Sequence, residues 1–274
     1  MQYMPDAERT KRMTTGELRD HFLVQDLFNE GEATFRFPDL DRVVLGGIVP
    51  TGSAIDLDAP PELDTDHFAD RREIGLLNIG GAGGVTVDGE RYAMAHLDGL
   101  YVGRGAESIT CESDSSDSPA QFYLVSYPAH AEYPTQHISR DDADLTELGS
   151  DEQANTRKLY KYIHPAGIES SQLVMGITDV QTGNVWNTMP AHTHQRRTEV
   201  YLYFDVADDN VVFHFMGEPQ QTRSLVVRDA EAVLSPGWSI HAGAGTSRYT
   251  FCWAMGGENQ DFADMQFADM KDLR

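Results

Sequence analysis

Short apolar runs separated by glycine, proline and Asp-Gly punctuation dominate this chain. Residues 41–50 (DRVVLGGIVP), 74–79 (IGLLNI), 84–87, 99–102 and 122–125 each have strand length, and Asp88-Gly89 between two of them is a favoured two-residue hairpin turn. Residues 173–177, 199–206, 211–216, 225–227, 232–234 and 249–255 repeat the pattern after a second start at 158–164 (KLYKYIH). Only the region from Thr14 to Phe28 reads as helix. Thr14 and Glu17 form a capping-box pair, and Leu18, Phe22 and Leu23 share one helical face. Residues 51–70 are polar and rich in Asp and Pro, and read as a loop. The stretch 128–166 breaks the strand rhythm, and its acidic part, 141–152, reads as a loop or short capped helix connecting two halves. Many short strands at this spacing predict an all-β protein of sandwich or barrel type, with a short N-terminal helix. The expected division is 1–150 and 151–274.

The halves read as divergent copies. Arg71-Arg72-Glu73 precedes a strand as Arg196-Arg197-Thr198-Glu199 does, and residues 98–103 (DGLYVG) align with 236–241 (PGWSIH). This register puts Gly103 opposite His241, His67 opposite His192 and Ala69 opposite His194. The first half is therefore expected to be a structural copy without a ligand set.

The chemistry sits in the second half. His192 and His194 form an H-x-H pair, and alternate strand residues share a face, with Cα atoms roughly 7 Å apart. Glu199 opens the following strand, and His241 follows the Pro236-Gly237 turn. Three imidazoles and a carboxylate suit a borderline divalent ion such as Zn, with Mn, Fe, Co and Ni as alternatives. His214, alone in an apolar strand (VVFHFM), reads as a structural residue.

Charge narrows the partners. The formal net charge is −23, and the four lysines are Lys11, Lys158, Lys161 and Lys271. Such a field repels nucleic acid and anionic membranes. A lysine-poor acidic surface is expected of a protein working in a high-salt cytoplasm, where ions screen self-repulsion. Cys111 and Cys252 give no disulfide framework, residues 1–13 lack the apolar core of a signal peptide, and no run reaches membrane-span length. A soluble cytoplasmic protein is expected.

Long phrases carry a family resemblance: RREIGLLNIGGAGGVTVDGERY, NTRKLYKYIHP, VWNTMPAHTHQRRTEVYLYFD, FHFMGEPQQTR, LSPGWSIHAGAG and GENQDF. They resemble the 5-keto-4-deoxyuronate isomerase family (4-deoxy-L-threo-5-hexosulose-uronate ketol-isomerases) of the cupin superfamily. The resemblance implies two cupin-like jelly-roll barrels, one Zn2+ per subunit on His192, His194, Glu199 and His241, and a homohexamer. It also implies interconversion of 5-dehydro-4-deoxy-D-glucuronate and 3-deoxy-D-glycero-2,5-hexodiulosonate in pectin or uronide breakdown, an aldose–ketose isomerisation. Such a reaction needs a base, for which Glu258, Asp261, Tyr201 and His164 are candidates, and a cation for the substrate carboxylate, for which Arg196, Arg197, Arg223 and Lys161 are candidates. Whether the ion is a Lewis acid or holds the architecture stays open at this point. The alternatives are a 5-deoxy-glucuronate isomerase of inositol breakdown and a non-catalytic sugar-binding bicupin.

Overall fold

The computed structural model describes residues 1–258 and 264–274. It is mostly β-strand and divides into two compact units that exchange segments along the sequence. The first comprises residues 1–2, 26–143 and 162–174; the second comprises 3–25, 144–161 and 175–274.

Each unit is built from two antiparallel sheets. In the first, a six-stranded sheet runs in the order Gln136–Ile138, Gly99–Val102, Arg72–Asn78, Phe122–Pro128, Val44–Ile48, Ala33–Arg36. A four-stranded sheet accompanies it: Ile55–Asp56, Ile109–Ser113, Gly83–Val87, Glu90–Met94. Its hairpin turns on Asp88 and Gly89, whose φ angles of 49° and 84° are those the Asp-Gly pair was expected to supply. Ile74, Leu76, Val85, Val102, Ile109 and Cys111 are fully or almost fully buried and fill this unit with an apolar core.

The second unit repeats the topology. Its seven-stranded sheet runs Leu23–Val24, Glu231–Ser235, Arg197–Phe204, Thr250–Gly257, Val174–Val180, Arg157–Ile163, Asp144–Leu148. Its five-stranded sheet runs Arg223–Val227, Val212–Met216, His241–Gly245, Trp186–Thr193, Gln266–Phe267.

This pairing corrects the internal alignment expected from sequence. Gly99–Val102 pairs with Arg72–Asn78 as Glu231–Ser235 pairs with Arg197–Phe204, so it corresponds to Glu231–Ser235 and not to the His241 turn. The counterpart of His241–Gly245 is Ile109–Ser113, where Ile109 and Cys111 join the apolar core. Likewise the counterpart of the His192 strand is Ile55–Asp56, not the turn holding His67. Short Gly-rich phrases resemble one another wherever a turn meets a strand; hydrogen-bond partners discriminate between them.

Two local readings also change. The helix spans Thr15–Phe22 under the Thr14–Glu17 capping box, but stops where Leu23 and Val24 pair with Val233 and Ala232. The acidic connection contains a 3-10 turn at Arg140–Asp142 capped by Ser139, followed by an edge strand, Asp144–Leu148, paired with Arg157–Ile163. No residue of this edge strand is buried, so it leaves little apolar signal. Both cysteines are buried and unbonded. Among the described residues no helix is long and apolar enough to cross a membrane.

Candidate metal centre and cavity

His192 lies near the end of Trp186–Thr193, directly opposite His241 on the antiparallel neighbour. His194 follows the strand, the chain turns through Gln195 and Arg196, and Glu199 comes third in Arg197–Phe204. The Pro236–Ser239 turn approaches this bend closely. A Cβ on Gly237 would meet the carbonyl oxygen of His194 at 2.6 Å and that of Arg197 at 3.0 Å, so glycine is required there.

All four side chains are at most 5% exposed. Nε2 of His241 stands 2.9 Å from Nε2 of His192 and 3.0 Å from Oε2 of Glu199, and Nε2 of His194 is 3.3 Å from the same oxygen. One ligand atom from each residue lies within 4.8 Å of all the others. A tetrahedron with ligand bonds of ~2.1 Å has edges of roughly 3.4 Å, so the spacing is that of one cation's shell. His192 Nδ1, His194 Nε2 and Glu199 Oε2 are buried without a satisfactory hydrogen bond. Of these, His194 Nε2 and Glu199 Oε2 face each other at the centre of the cluster, and unpartnered buried polar atoms so placed are what a cation site requires.

Electrostatics agree with that fit. Burial, reinforced by the neighbouring His241, pushes the pKa of His192 down to about 2, leaving a neutral imidazole. Burial alone would raise Glu199, but the adjacent His241 and His194 hold it well below the usual carboxylate range. Neutral imidazoles and an ionised carboxylate are the ligand forms a divalent cation takes.

Behind the cluster, Ser235 Oγ lies 3.3 Å from His241 Nδ1. Nδ1 of His194 is 3.3 Å from Asp264 Oδ1 and 3.3 Å from Arg197 Nε, and Arg197 pairs with Asp264. His214 is fully buried farther in, where its Nδ1 meets the Tyr203 hydroxyl at 2.8 Å.

A cavity of about 190 Å³ opens beside the cluster, between the two sheets of this unit. Its wall includes Tyr201, Arg197, Trp253, Thr178 and Arg157. Of the expected base candidates, Tyr201 alone lines it among the described residues. The Tyr201 ring is 5.4 Å from that of His241, and burial together with the Glu199 charge raises its pKa well above 10. Glu258 is at the surface, paired with Arg196, whose Nε donates to Glu258 Oε2 at 2.7 Å. His164 is buried in the first unit against Gly167. Asp261 lies outside the described residues.

The carboxylate-binding candidates separate as sharply. Arg197, expected between strands, is the first residue of its strand and 1% exposed, and it does reach the cavity. Arg223 is occupied elsewhere, donating to the carbonyls of Thr10 and Met13 at 3.0 and 2.6 Å, where it fastens the N-terminal segment. Lys161 pairs with Asp144 across the edge strands at 2.5 Å. Arg157 and Asp264, which the structure brings to the site, escaped the sequence reading. Arg157 shares strand parity with Leu159, a wall residue, and that alternation was its one available signal.

A profile of the KduI/IolB family matches residues 46–273. The chain belongs to the KduI/IolB family. Within it, the chain is 52% identical over 272 residues to the 4-deoxy-L-threo-5-hexosulose-uronate ketol-isomerase of Halalkalibacterium halodurans, covering 99% of each protein. It is 53% identical over 264 residues to the enzyme of that name from Shouchella clausii, covering 96% of each. Among solved structures, an IolB-like protein from Salmonella typhimurium superimposes with a TM-score of 0.71 at 13% identity, covering 90% of this chain and 97% of that one. An oxalate decarboxylase does so with a TM-score of 0.58 at 11% identity, covering 89% of this chain and 80% of the other. At such identities the structural likeness shows the fold alone: this KduI/IolB member has the two-cupin, jelly-roll architecture.

Proposed function

We propose that this protein is an aldose–ketose isomerase that interconverts 5-dehydro-4-deoxy-D-glucuronate and 3-deoxy-D-glycero-2,5-hexodiulosonate in uronide breakdown. The observation that carries the reading is the buried His192–His194–Glu199–His241 cluster beside a cavity, in a chain about half identical, end to end, to named ketol-isomerases.

Moving a carbonyl between adjacent carbons requires a proton to leave one carbon and arrive at the next while negative charge develops on two neighbouring oxygens. His192, His194, Glu199 and His241 would hold a divalent cation, which when bound would supply Lewis-acid stabilisation of that charge. The remaining steps belong to the chain. Tyr201, protonated throughout the physiological range, holds a proton at its hydroxyl beside Glu199 and is placed to exchange it with the substrate. Phe251, Trp253 and Met255 give the cavity an apolar wall that limits water. Arg197, paired with Asp264, holds that carboxylate 3.3 Å from His194 Nδ1, where it can accept the ring proton and fix the imidazole.

We assign one Zn2+ per subunit, with Mn, Fe, Co or Ni as the alternatives the donor set admits. The reading extends to a homohexamer and to a division of labour in which the half within 151–274 binds metal and that within 1–150 is structural. A high-salt cytoplasm is the setting proposed for the −23 charge.

Incubating the metal-loaded protein with the product of an unsaturated uronidase, and following isomer formation by NMR, tests the central claim. Turnover of 5-deoxy-glucuronate in its place would transfer the protein to inositol breakdown, and turnover of neither would leave a sugar-binding bicupin. Elemental analysis identifies the ion, light scattering the assembly, and activity against KCl concentration the salt setting.

A further inference from the structure

Two guanidinium groups face the cavity, and their surroundings differ. Arg197 is neutralised by Asp264, and its Nε and Nη2 point at His194. Among the described residues Arg157 makes one hydrogen bond, from Nη1 to the carbonyl of Asn155 at 2.9 Å, and no carboxylate pairs with it. The titratable groups that act on its charge are the hydroxyls of Tyr249 and Tyr201, both neutral at physiological pH. In a chain with 44 acidic and 21 basic residues, an inward arginine that no carboxylate meets calls for a partner from outside. A partly desolvated charge is costly unless a counter-charge reaches it.

The neighbouring strand, Val174–Val180, supplies a second polar group. Thr178 is fully buried and lines the same cavity, and its Oγ1 has no hydrogen-bond partner among the described residues. Arg157–Ile163 and Val174–Val180 are adjacent in the sheet. We propose that Arg157 and Thr178 form a carboxylate subsite, which holds the acid end of the substrate while its carbonyl end lies at the His192–His241 cluster.

Sheet order supports the span. The strands carrying Arg157 and Glu199 are separated by Val174–Val180 and Thr250–Gly257, so their backbones lie roughly 14 Å apart. A long arginine side chain on one side and a six-carbon acid on the other bridge that interval. The guanidinium offers two parallel N–H groups to a carboxylate, and the threonine hydroxyl adds a third donor. A neutral sugar would leave Arg157 unpaired, so the subsite selects uronates over aldoses. This assignment rests on the uronate reading above, with which it shares the substrate class.

The test uses metal-loaded protein and the variants R157Q, R157K and T178V. In R157Q, KM for the uronate should rise on the order of 100-fold, with kcat changed far less and metal content and melting temperature retained. R157K should recover part of the loss, and T178V should raise KM several-fold. Independently of turnover, calorimetry with glucuronate and its neutral methyl ester reads the subsite itself. Wild type should bind the acid tighter by at least tenfold, and R157Q should bind the two equally. A wild type that holds acid and ester alike, or an R157Q protein that keeps the preference, overturns the subsite. A wild type that prefers the acid yet isomerises no uronate would instead overturn the proposed reaction while leaving the subsite standing.

Discussion

Removal of the Asp264 carboxylate separates metal positioning from simple packing. The Arg197 side chain has no exposure and that of Asp264 has 15%, so Asp264→Ala leaves a guanidinium buried without its counter-charge. Breaking such a pair from one side costs about 3 kcal/mol, the lower end of the usual range, because Asp264 keeps some contact with water. That corresponds to a fall in melting temperature of roughly 6–12 °C for the metal-free protein. A second effect acts on His194. When its Nε2 faces a cation the ring proton sits on Nδ1, and the acceptor 3.3 Å away is Asp264 Oδ1. Loss of such a partner weakens metal binding by about 10–100-fold. Competition against a chromophoric chelator measures the affinity, and melts in EDTA measure the stability. The double variant R197M/D264L divides the two effects: apolar replacement of both partners should restore the melting temperature but not the affinity. Wild-type affinity in D264A, or affinity recovered in the double variant, would refute the positioning role.

Three further outcomes are expected. His241→Ala and His192→Ala should each remove bound metal, measured by elemental analysis, and reduce activity at least 100-fold; turnover that persists without metal would assign the ion to architecture alone. Tyr201→Phe should lower kcat by about 10²–10⁴ while metal content stays at wild type, and an unchanged kcat would reduce Tyr201 to a packing role. His214, whose pKa burial pushes down from 6.5 to about 3, is neutral when folded. Its contribution is therefore complete above pH 6.5 and is lost towards pH 3 by about 1.4 kcal/mol per unit, because only the unfolded chain takes up the proton. Urea unfolding of metal-free His214→Gln should show its deficit at pH 7 narrowing by pH 5, and a constant deficit would contradict the buried neutral state.

The parts of this architecture visible in the sequence are those with a short-range cause. The Thr14–Glu17 box, the Asp88-Gly89 hairpin and the alternation around His192, His194 and Glu199 depend on residues a few positions apart. His241 was found because a Pro-Gly turn marks its strand. Arg157 reaches the cavity, and Asp264 the back of His194, from far along the chain; apart from Arg157's strand parity with Leu159, nothing beside them in sequence distinguishes them from surface charges. The edge strand Asp144–Leu148 was hidden because its exposed residues are those of a loop. The repeat was visible as rhythm, yet its register was fixed by strand pairing, which local composition does not encode.

Two copies of one topology have been finished differently, one with a greasy filling and one with a polar hollow. The filled copy gains its cohesion from carbon packing and is complete when folded. The hollow copy keeps three imidazoles, a carboxylate and two guanidinium groups where such packing would otherwise stand. Its cohesion is thus on loan from whatever occupies it, and heating a chelated sample should soften this half at a lower temperature than its twin.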